Sequence, residues 1–236
     1  MVYIDLPEKQ PRLLSFYLAM EEYVARYLPV EDAFFMWQVE PTVIFGRNQV
    51  VENEVNLEYC REHNIRTYRR KSGGGCVYAD MSNVMLSVIT REGNINEIFS
   101  DYLSLLAKAL QQLGFQAKQN DHNDIMLDGR KISGNAIYHL PGRTIAHGTL
   151  LYDTDMENML HAITPPHEKL ARNGVKSVRQ RVALLKDYTS LSLDEIKAGL
   201  RKGICNSTIM LDASDIEKIE EIAKEYENSY GKRIDT

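Results

Sequence analysis

The sequence predicts an α+β fold, a mixed β-sheet flanked by helices. Three observations carry that prediction. In "NDIMLDGRKISGNAIYHL" two strand-like runs surround Asp128-Gly129, a pair suited to the positive φ angles of a tight hairpin turn. In "INEIFSDYLSLLAKALQQLGF" residues Ile98, Tyr102, Leu105, Leu106, Ala109 and Leu113 recur at helical spacing, and Gly114 supplies the stop. Hairpins and helices mix along one chain, which suits a mixed sheet covered by helices.

The remaining elements follow in order. "RLLSFYLAMEEYVARYL" reads as an amphipathic helix between Pro11 and Pro29, with Leu14, Tyr17, Leu18, Glu21, Glu22 and Ala25 at helical spacing. "DAFFMWQVEPTVIFG" reads as two short strands bent at Pro41, and "VENEVNLEYCREHNI" as a helix. "RTYRR" and "CVYADMSNVMLSVIT" read as strands on either side of a glycine loop, and "RTIAHGTLLYD" as another strand. After "ITPPHEK" the chain reads as turns and helices, ending in "DASDIEKIEEIAKEYENSY". No linker, repeat or low-complexity tract interrupts it. We therefore expect a single domain over 1–236, with about 190–236 as a helical C-terminal part.

Composition excludes several classes. With 44% hydrophobic and 26% charged residues, the chain has the balance of a soluble globule. A net charge of −5 argues against general nucleic-acid binding, so any basic cluster must act locally. No apolar run reaches the roughly 20 residues of a membrane span. "MVYIDLPEKQ" lacks the basic and apolar regions of a secretory signal. Cys60, Cys76 and Cys205 are odd in number and far apart, which fits a reducing cytoplasm rather than a disulfide framework or a zinc knuckle.

Four segments carry chemistry. In "RRKSGGGCVYAD" the glycines Gly73, Gly74 and Gly75 follow Arg69, Arg70, Lys71 and Ser72. Glycine lets backbone approach a ligand, successive N–H groups can cradle an anion, and guanidinium can grip phosphate or carboxylate. The run is neither a Walker A loop nor a dinucleotide fingerprint; alone it reads equally well as a flexible hairpin with solvated charges. In "NDIMLDGRKISGNA" Lys131 precedes the small or polar Ser133, Gly134, Asn135 and Ala136, which leave room for a ligand. Alternation places Lys131, Ser133 and Asn135 on one face. Asn123 and Asp124 open the preceding strand, with side chains able to hold a ribose, an amide or Mg2+. In "AHGTLLYD" Gly148 and Thr149 fit close backbone approach to a ligand, whereas His147 alone reads more readily as a hydrogen-bonding core histidine. In "EKLARNGVKSVRQRVALL" Lys169, Arg172, Lys176, Arg179 and Arg181 form a basic segment, read as a solvated helix face or a docking surface for an acidic partner.

Taken together and in this order, these segments resemble the lipoate–protein ligase family, related to biotin protein ligases and octanoyltransferases. The likeness runs from "LAMEEYVA" through "WQVEPTVIFGRNQVVENEVN" and the segments above to "GVKSVRQRVALL", roughly Leu18 to Leu185. It implies the biotin/lipoate-ligase catalytic-domain type of fold, with a bent tunnel for an acyl chain and a nucleotide. It implies ATP-dependent activation of lipoate to lipoyl-adenylate, usually with Mg2+, and transfer to a lysine of a carrier domain. The carriers implied are lipoyl domains of 2-oxoacid dehydrogenase E2 subunits or the glycine-cleavage H protein.

By position, Arg70, Ser72 and Gly73–Gly75 would line the lipoyl and phosphate region, and Lys131 would match the lysine of the family's "K-x-S-G" motif, with Ser133, Gly134 and Ala136 beside it. Asn123 and Asp124 match its "N-D" pair, with Asp124 the Mg2+ candidate. Asn83 matches the asparagine of a "Gly-Asn" pair, and His147, Gly148 and Thr149 match "H-G-T". Arg70 and Lys71 are expected to face the ligand. The chain departs from the family at Ala79-Asp80, where "His-Asp" is common, and at Ser82, where glycine is. The larger ligases carry a C-terminal accessory domain not expected here, and some short relatives need a separate accessory protein. The alternatives are a lipoyl or octanoyl transferase using a pre-activated donor, and a non-catalytic lipoate-binding protein. A biotin ligase fits less well, since "RRKSGGG" replaces its usual loop.

Overall fold

Prolines and glycines punctuate the chain much as expected in the computed structural model, which describes residues 1–8, 10–163 and 181–229. Strand β1 (Val2–Asp5) leads to helix α1 (Leu14–Tyr27), which lies between Pro11 and Pro29. Strands β2 (Ala33–Trp37) and β3 (Thr42–Phe45) flank Pro41 but enter different sheets. The helix expected over 51–65 is divided into α2 (Val51–Glu54) and α3 (Leu57–Glu62). Asn56 separates them: its side chain accepts from the Tyr59 N–H at 3.0 Å and caps the second.

Strand β4 (Arg66–Arg69) precedes the glycine loop, and the strand expected after it is two, β5 (Val77–Ala79) and β6 (Asn83–Arg91). Asp80 folds the chain between them by accepting the Ser82 N–H at 2.9 Å. Helix α4 (Ile95–Gln112) is capped by Asn94 and followed by Gly114 at φ +94°. Its buried face centres on Phe99, Tyr102, Leu103, Leu106 and Leu110, so Ile98 and Leu105, expected inside, lie at its edges.

Strands β7 (Lys118–Gln119), β8 (Asp124–Leu127), β9 (Arg130–Leu140) and β10 (Arg143–Leu151) form antiparallel ladders. Asp128 (φ +51°) and Gly129 (φ +71°) make the expected turn. After α5 (Met156–Ala162), and beyond a short 3-10 turn at Leu185–Tyr188, come α6 (Leu193–Ile204), β11 (Ser207–Met210) and α7 (Ala213–Ser229). Strand β11 was not expected in a region read as turns and helices; it pairs parallel to β1 at the sheet edge.

The main sheet has the order β11-β1-β2-β6-β10-β9-β8-β7, and a small sheet has the order β4-β3-β5. One core joins α4 and α6 to the sheet through Leu106, Leu110, Ile196, Leu200, Leu86 and Leu150. A second joins α1 and α7 to the sheet and to the small sheet through Leu18, Ala223, Ile145 and Ile44. Among the described residues no helix is long and apolar enough to cross a membrane.

Two local irregularities shape the site. Ile125 pairs with Ser133 but Met126 pairs with Lys131, so Ile132 is the extra residue of a β-bulge. Strict alternation fails there. The bulge throws Lys131 to the Gly134 side, where a Cβ on Gly134 would lie 2.7 Å from the lysine Nζ. Gly46, just after β3, touches the glycine loop so closely that a Cβ there would lie 2.2 Å from the Gly74 carbonyl oxygen. Gly74 itself holds φ +91°, whereas a Cβ on Gly75 would meet nothing within 4 Å.

These contacts separate two substitutions. Gly46→Ala is expected to destabilise the fold by about 1–3 kcal/mol, because backbone must move to admit the methyl. Gly75→Ala is expected to stay within about 0.5 kcal/mol. Denaturant unfolding of both variants checks this; equal losses would show that the loop does not press on the end of β3.

Candidate active site

Beneath the glycine loop lies a cavity of about 180 Å3. Leu18 of α1, Trp37 of β2, Ile44 of β3, Val77 of β5 and Met85 of β6 supply apolar wall. Arg70, Gly74, Gly75 and Cys76 of the loop segment line it, as do Lys131, Gly134, Asn135 and Ala136 of β9 and His147, Gly148 and Thr149 of β10. Gly148 admits no side chain: a Cβ would sit 1.9 Å from Asn135 Oδ1.

The three consecutive cations before the loop all have protein partners. Arg69 holds the preceding turn, its Nη1 donating to the carbonyls of Arg47 at 3.0 Å and Gln49 at 2.8 Å. Arg70, 6% exposed, donates from Nε to Ser72 Oγ at 2.9 Å, from Nη1 to the Ile44 carbonyl at 3.0 Å, and from Nη2 to the carbonyls of Gly73 at 2.7 Å and Gly75 at 2.8 Å. Burial lowers its pKa to about 10. Lys71, expected to face the ligand, turns to Glu22 and lies 4.3 Å from the Tyr226 ring centroid.

Arg70 thereby sets the polarity of the loop. In a trans peptide the carbonyl and the following N–H point oppositely. With the Gly73 and Gly75 carbonyls drawn to the guanidinium, the N–H groups of Gly74 and Cys76 face away from it. No backbone hydrogen bond among the described residues uses the N–H of Gly73, Gly74 or Gly75. A loop with carbonyls gathered behind it and the N–H groups of its three glycines unspent can receive an anion.

Behind the loop runs a buried polar chain. Ser72 Oγ lies 2.7 Å from His147 Nε2, and His147 Nδ1 lies 3.0 Å from both Glu21 oxygens. Ser87 Oγ donates to Glu21 at 2.6 Å and accepts from Trp37 Nε1 at 2.9 Å. Ser72, Ser87 and Glu21 are each 0% exposed. Ser72, His147 and Glu21 have the connectivity of a Ser–His–acid triad. Ser72, however, is no part of the cavity wall and already accepts from Arg70, so this serine supports the loop and does not attack.

Lys131 Nζ lies 2.7 Å from Asp124 Oδ1. Asn120 shapes the turn before Asp124, accepting its N–H at 3.0 Å. Asn123 uses its carbonyl to accept from Asn135 Nδ2 at 3.0 Å, while the residue itself is exposed at φ +50°. Asp124 offers one carboxylate, here paired with an ammonium; a single carboxylate holds Mg2+ together with phosphate oxygens of a bound substrate. Among the described residues no group of three or more His, Cys, Asp or Glu could hold a metal.

The cavity thus brings together Arg70, Gly74, Gly75, Lys131, Gly134, Ala136, His147, Gly148 and Thr149. Ser72 and Ser133 are buried and outside its wall. Gly73 lines a neighbouring groove with Arg47 and Lys71. Asn83 stands apart at the start of β6, accepting the Thr154 hydroxyl, and its buried Nδ2 finds no hydrogen-bond partner among the described residues. Lys169, Arg172, Lys176 and Arg179 lie outside the described residues. Sequence reasoning missed the parts played by Glu21, Ser87, Trp37 and Gly46. The available signal was the pair Glu21-Glu22 among core-facing positions of α1.

Residues 14–205 match the family model of the lipoyl protein ligase A/B catalytic domain. The chain is 36% identical over 230 residues to the lipoate-protein ligase LplJ of Bacillus subtilis, covering 91% of this chain and 70% of that one. It spans 60% to 70% of the length of five curated ligases that it matches. The fold superposes with TM-score 0.82 and 26% identity on a bi-partite lipoate protein ligase of Thermoplasma acidophilum, described with its E2 lipoyl domain, covering 97% of this chain and 92% of that one. It superposes with TM-score 0.81 and 26% identity on a lipoate-protein ligase A bound with ATP, covering 97% and 94%. A family-model match over most of the chain, joined to this fold and cavity, shows that the protein belongs to the lipoate–protein ligase family.

Proposed function

We propose that this chain activates lipoate with ATP and passes the lipoyl group to a lysine of a carrier protein. One observation carries the reading: a single cavity joins an apolar wall to a glycine loop with unspent N–H groups and to Lys131. The apolar wall suits an acyl chain, and the loop with Lys131 suits a carboxylate meeting a phosphate.

In the first step a lipoate carboxylate oxygen attacks the α-phosphorus of ATP, and the bond to the β-phosphate breaks with departure of pyrophosphate. Negative charge grows on the phosphoryl oxygens, where Lys131 and the loop N–H groups would stabilise it. Lys131 must first loosen its pair with Asp124, or share it. The mixed anhydride hydrolyses readily, so a roof that excludes water protects it. In the second step the carrier amine attacks the acyl carbon, the anhydride C–O bond breaks and AMP leaves. That amine has an ordinary pKa of about 10.4 and must shed a proton; no residue of the cavity wall is assigned as the base. Any Mg2+ would arrive with the nucleotide phosphates.

The proposed carriers are lipoyl domains, by analogy with the E2 domain described with the archaeal ligase, or a glycine-cleavage H protein. A separate accessory protein for the first step belongs to the alternative reading, in which this chain transfers a lipoyl group that is activated elsewhere. We take 1–236 as one catalytic unit, since α7 reaches the loop through Tyr226 and Glu22. Three cysteines outside any disulfide agree with the cytoplasm as its setting. Lipoate-dependent ATP–pyrophosphate exchange tests the reading. Exchange supports a ligase; transfer from supplied lipoyl-adenylate without exchange favours the transferase, and neither activity favours a binder.

Three variants sharpen it. Lys131→Ala is expected to lower adenylate formation by about 10²–10³-fold with the fold intact; near-normal formation by mass spectrometry would remove its role. Burial pushes the Cys60 and Cys205 thiols up to about 11, away from nucleophilic use, while Cys76 lines the cavity. Cys76→Ser and Cys205→Ser are expected to retain transfer from lipoyl-adenylate. An acyl-thioester trapped on either cysteine would favour the transferase instead.

A further inference from the structure

The buried chain behind the loop has donors at both ends that can only donate. Trp37 contributes an indole N–H, which has no acceptor capacity, and Arg70 contributes a guanidinium N–H, which has none either. These ends fix the direction of the bonds between them. Ser87 accepts from Trp37 and so turns its own proton to Glu21. Ser72 accepts from Arg70 Nε and so turns its proton to His147 Nε2. His147 then carries its proton on Nδ1 and donates it to Glu21. Both halves converge on the Glu21 carboxylate, where the chain ends.

We propose that Glu21 is a positioning residue of the acyl site: it holds His147 as the Nδ1–H tautomer and thereby ties the glycine loop to α1 and to the Trp37 wall. The opposite tautomer would set an N–H against the Ser72 hydroxyl, which Arg70 already supplies with a donor. Ser72 would then have no acceptor among the described residues for its proton. Glu21 needs no contact with substrate for this role. It acts through His147, which lines the cavity, and through Trp37, which lines it too. Loop and apolar wall are thus coupled through α1, and the carboxylate at their junction governs how well the acyl group is seated.

The proposal rests on the ligase reading only for its kinetic arm. The first measurement needs no variant and no activity: long-range ¹H–¹⁵N correlation spectra of the full chain report the His147 tautomer directly. Nδ1–H is expected; a predominant Nε2–H form overturns the proposal. The second compares Glu21→Met, which removes the acceptor, with Glu21→Gln, whose amide oxygen can still accept from Ser87 and His147. Hydrogen exchange of the Arg47 and Arg70 amides, which hold the two ends of the loop by bonding to the Ser72 and Phe45 carbonyls, should quicken in Glu21→Met by about tenfold or more, as loss of a hydrogen bond to a charged group implies, and return towards the parent in Glu21→Gln.

The lipoate KM should rise about tenfold in Glu21→Met, with kcat and the ATP KM little changed, and Glu21→Gln should recover most of it. If Glu21→Met unfolds, the tautomer and the Glu21→Gln comparison still decide. Unchanged loop exchange and lipoate KM in a folded Glu21→Met would overturn the role. Should the parent chain show no turnover of lipoate, the ligase reading fails while the tautomer and exchange data stand.

Discussion

Two adjacent carboxylates buried in helix α1 constrain the rest of this structure. Glu21 is 0% exposed and Glu22 2% exposed, in a helix otherwise sunk in an apolar core. A buried charge without partners costs far more than a single domain can offset, so each carboxylate must gather donors from its surroundings. Glu21 gathers Ser87 and His147. Glu22 gathers Arg26 at 2.9 Å, Lys71 and the Tyr226 hydroxyl. Through these bonds one helix turn reaches the central strands β6 and β10, the glycine loop and the C-terminal helix α7.

The glycine loop owes its form to the same arrangement. A run of two arginines and a lysine beside three glycines invites the idea of open positive charge around an anion. The chain instead turns that charge inward, Arg69 to the 46–49 turn, Arg70 to the loop carbonyls and Lys71 to Glu22. What remains for a ligand is backbone N–H groups and Lys131. Preorganised dipoles of this kind need little reorganisation when charge develops, which suits a site that builds and then protects a reactive anhydride. The small residues Gly134, Ala136 and Gly148 keep two neighbouring strands low enough for a ligand to lie against them.

Much of this was legible in the sequence. Helices α1 and α4 announced themselves by periodicity and by their stops, and the β8–β9 hairpin by Asp128-Gly129. The motifs around Gly74, Lys131 and His147 marked a loop and two strands that meet at one cavity. What escaped depended on partners distant in sequence. Four-residue β11 has too little pattern to be read without β1 beside it. The bulge at Ile132 breaks the alternation on which the face of Lys131 was judged, and a bulge leaves no mark when a β-branched apolar residue occupies it. Glu21 sits at a core-facing position, but its partners His147 and Ser87 are 126 and 66 residues away. Gly46 gains its meaning only from the Gly74 carbonyl that presses on it.

Trp37 offers the most direct test of the central claim, that acyl chain and loop share this one cavity. It is the single tryptophan of the chain, 4% exposed, and it lines the cavity. Titration of the full chain with lipoate, followed by tryptophan emission and in parallel by calorimetry, reads the cavity without requiring turnover. The account predicts a saturable change in emission whose midpoint and one-to-one stoichiometry agree with the heat of binding. Calorimetric binding of lipoate with Trp37 emission unchanged would contradict it and place the acyl site elsewhere.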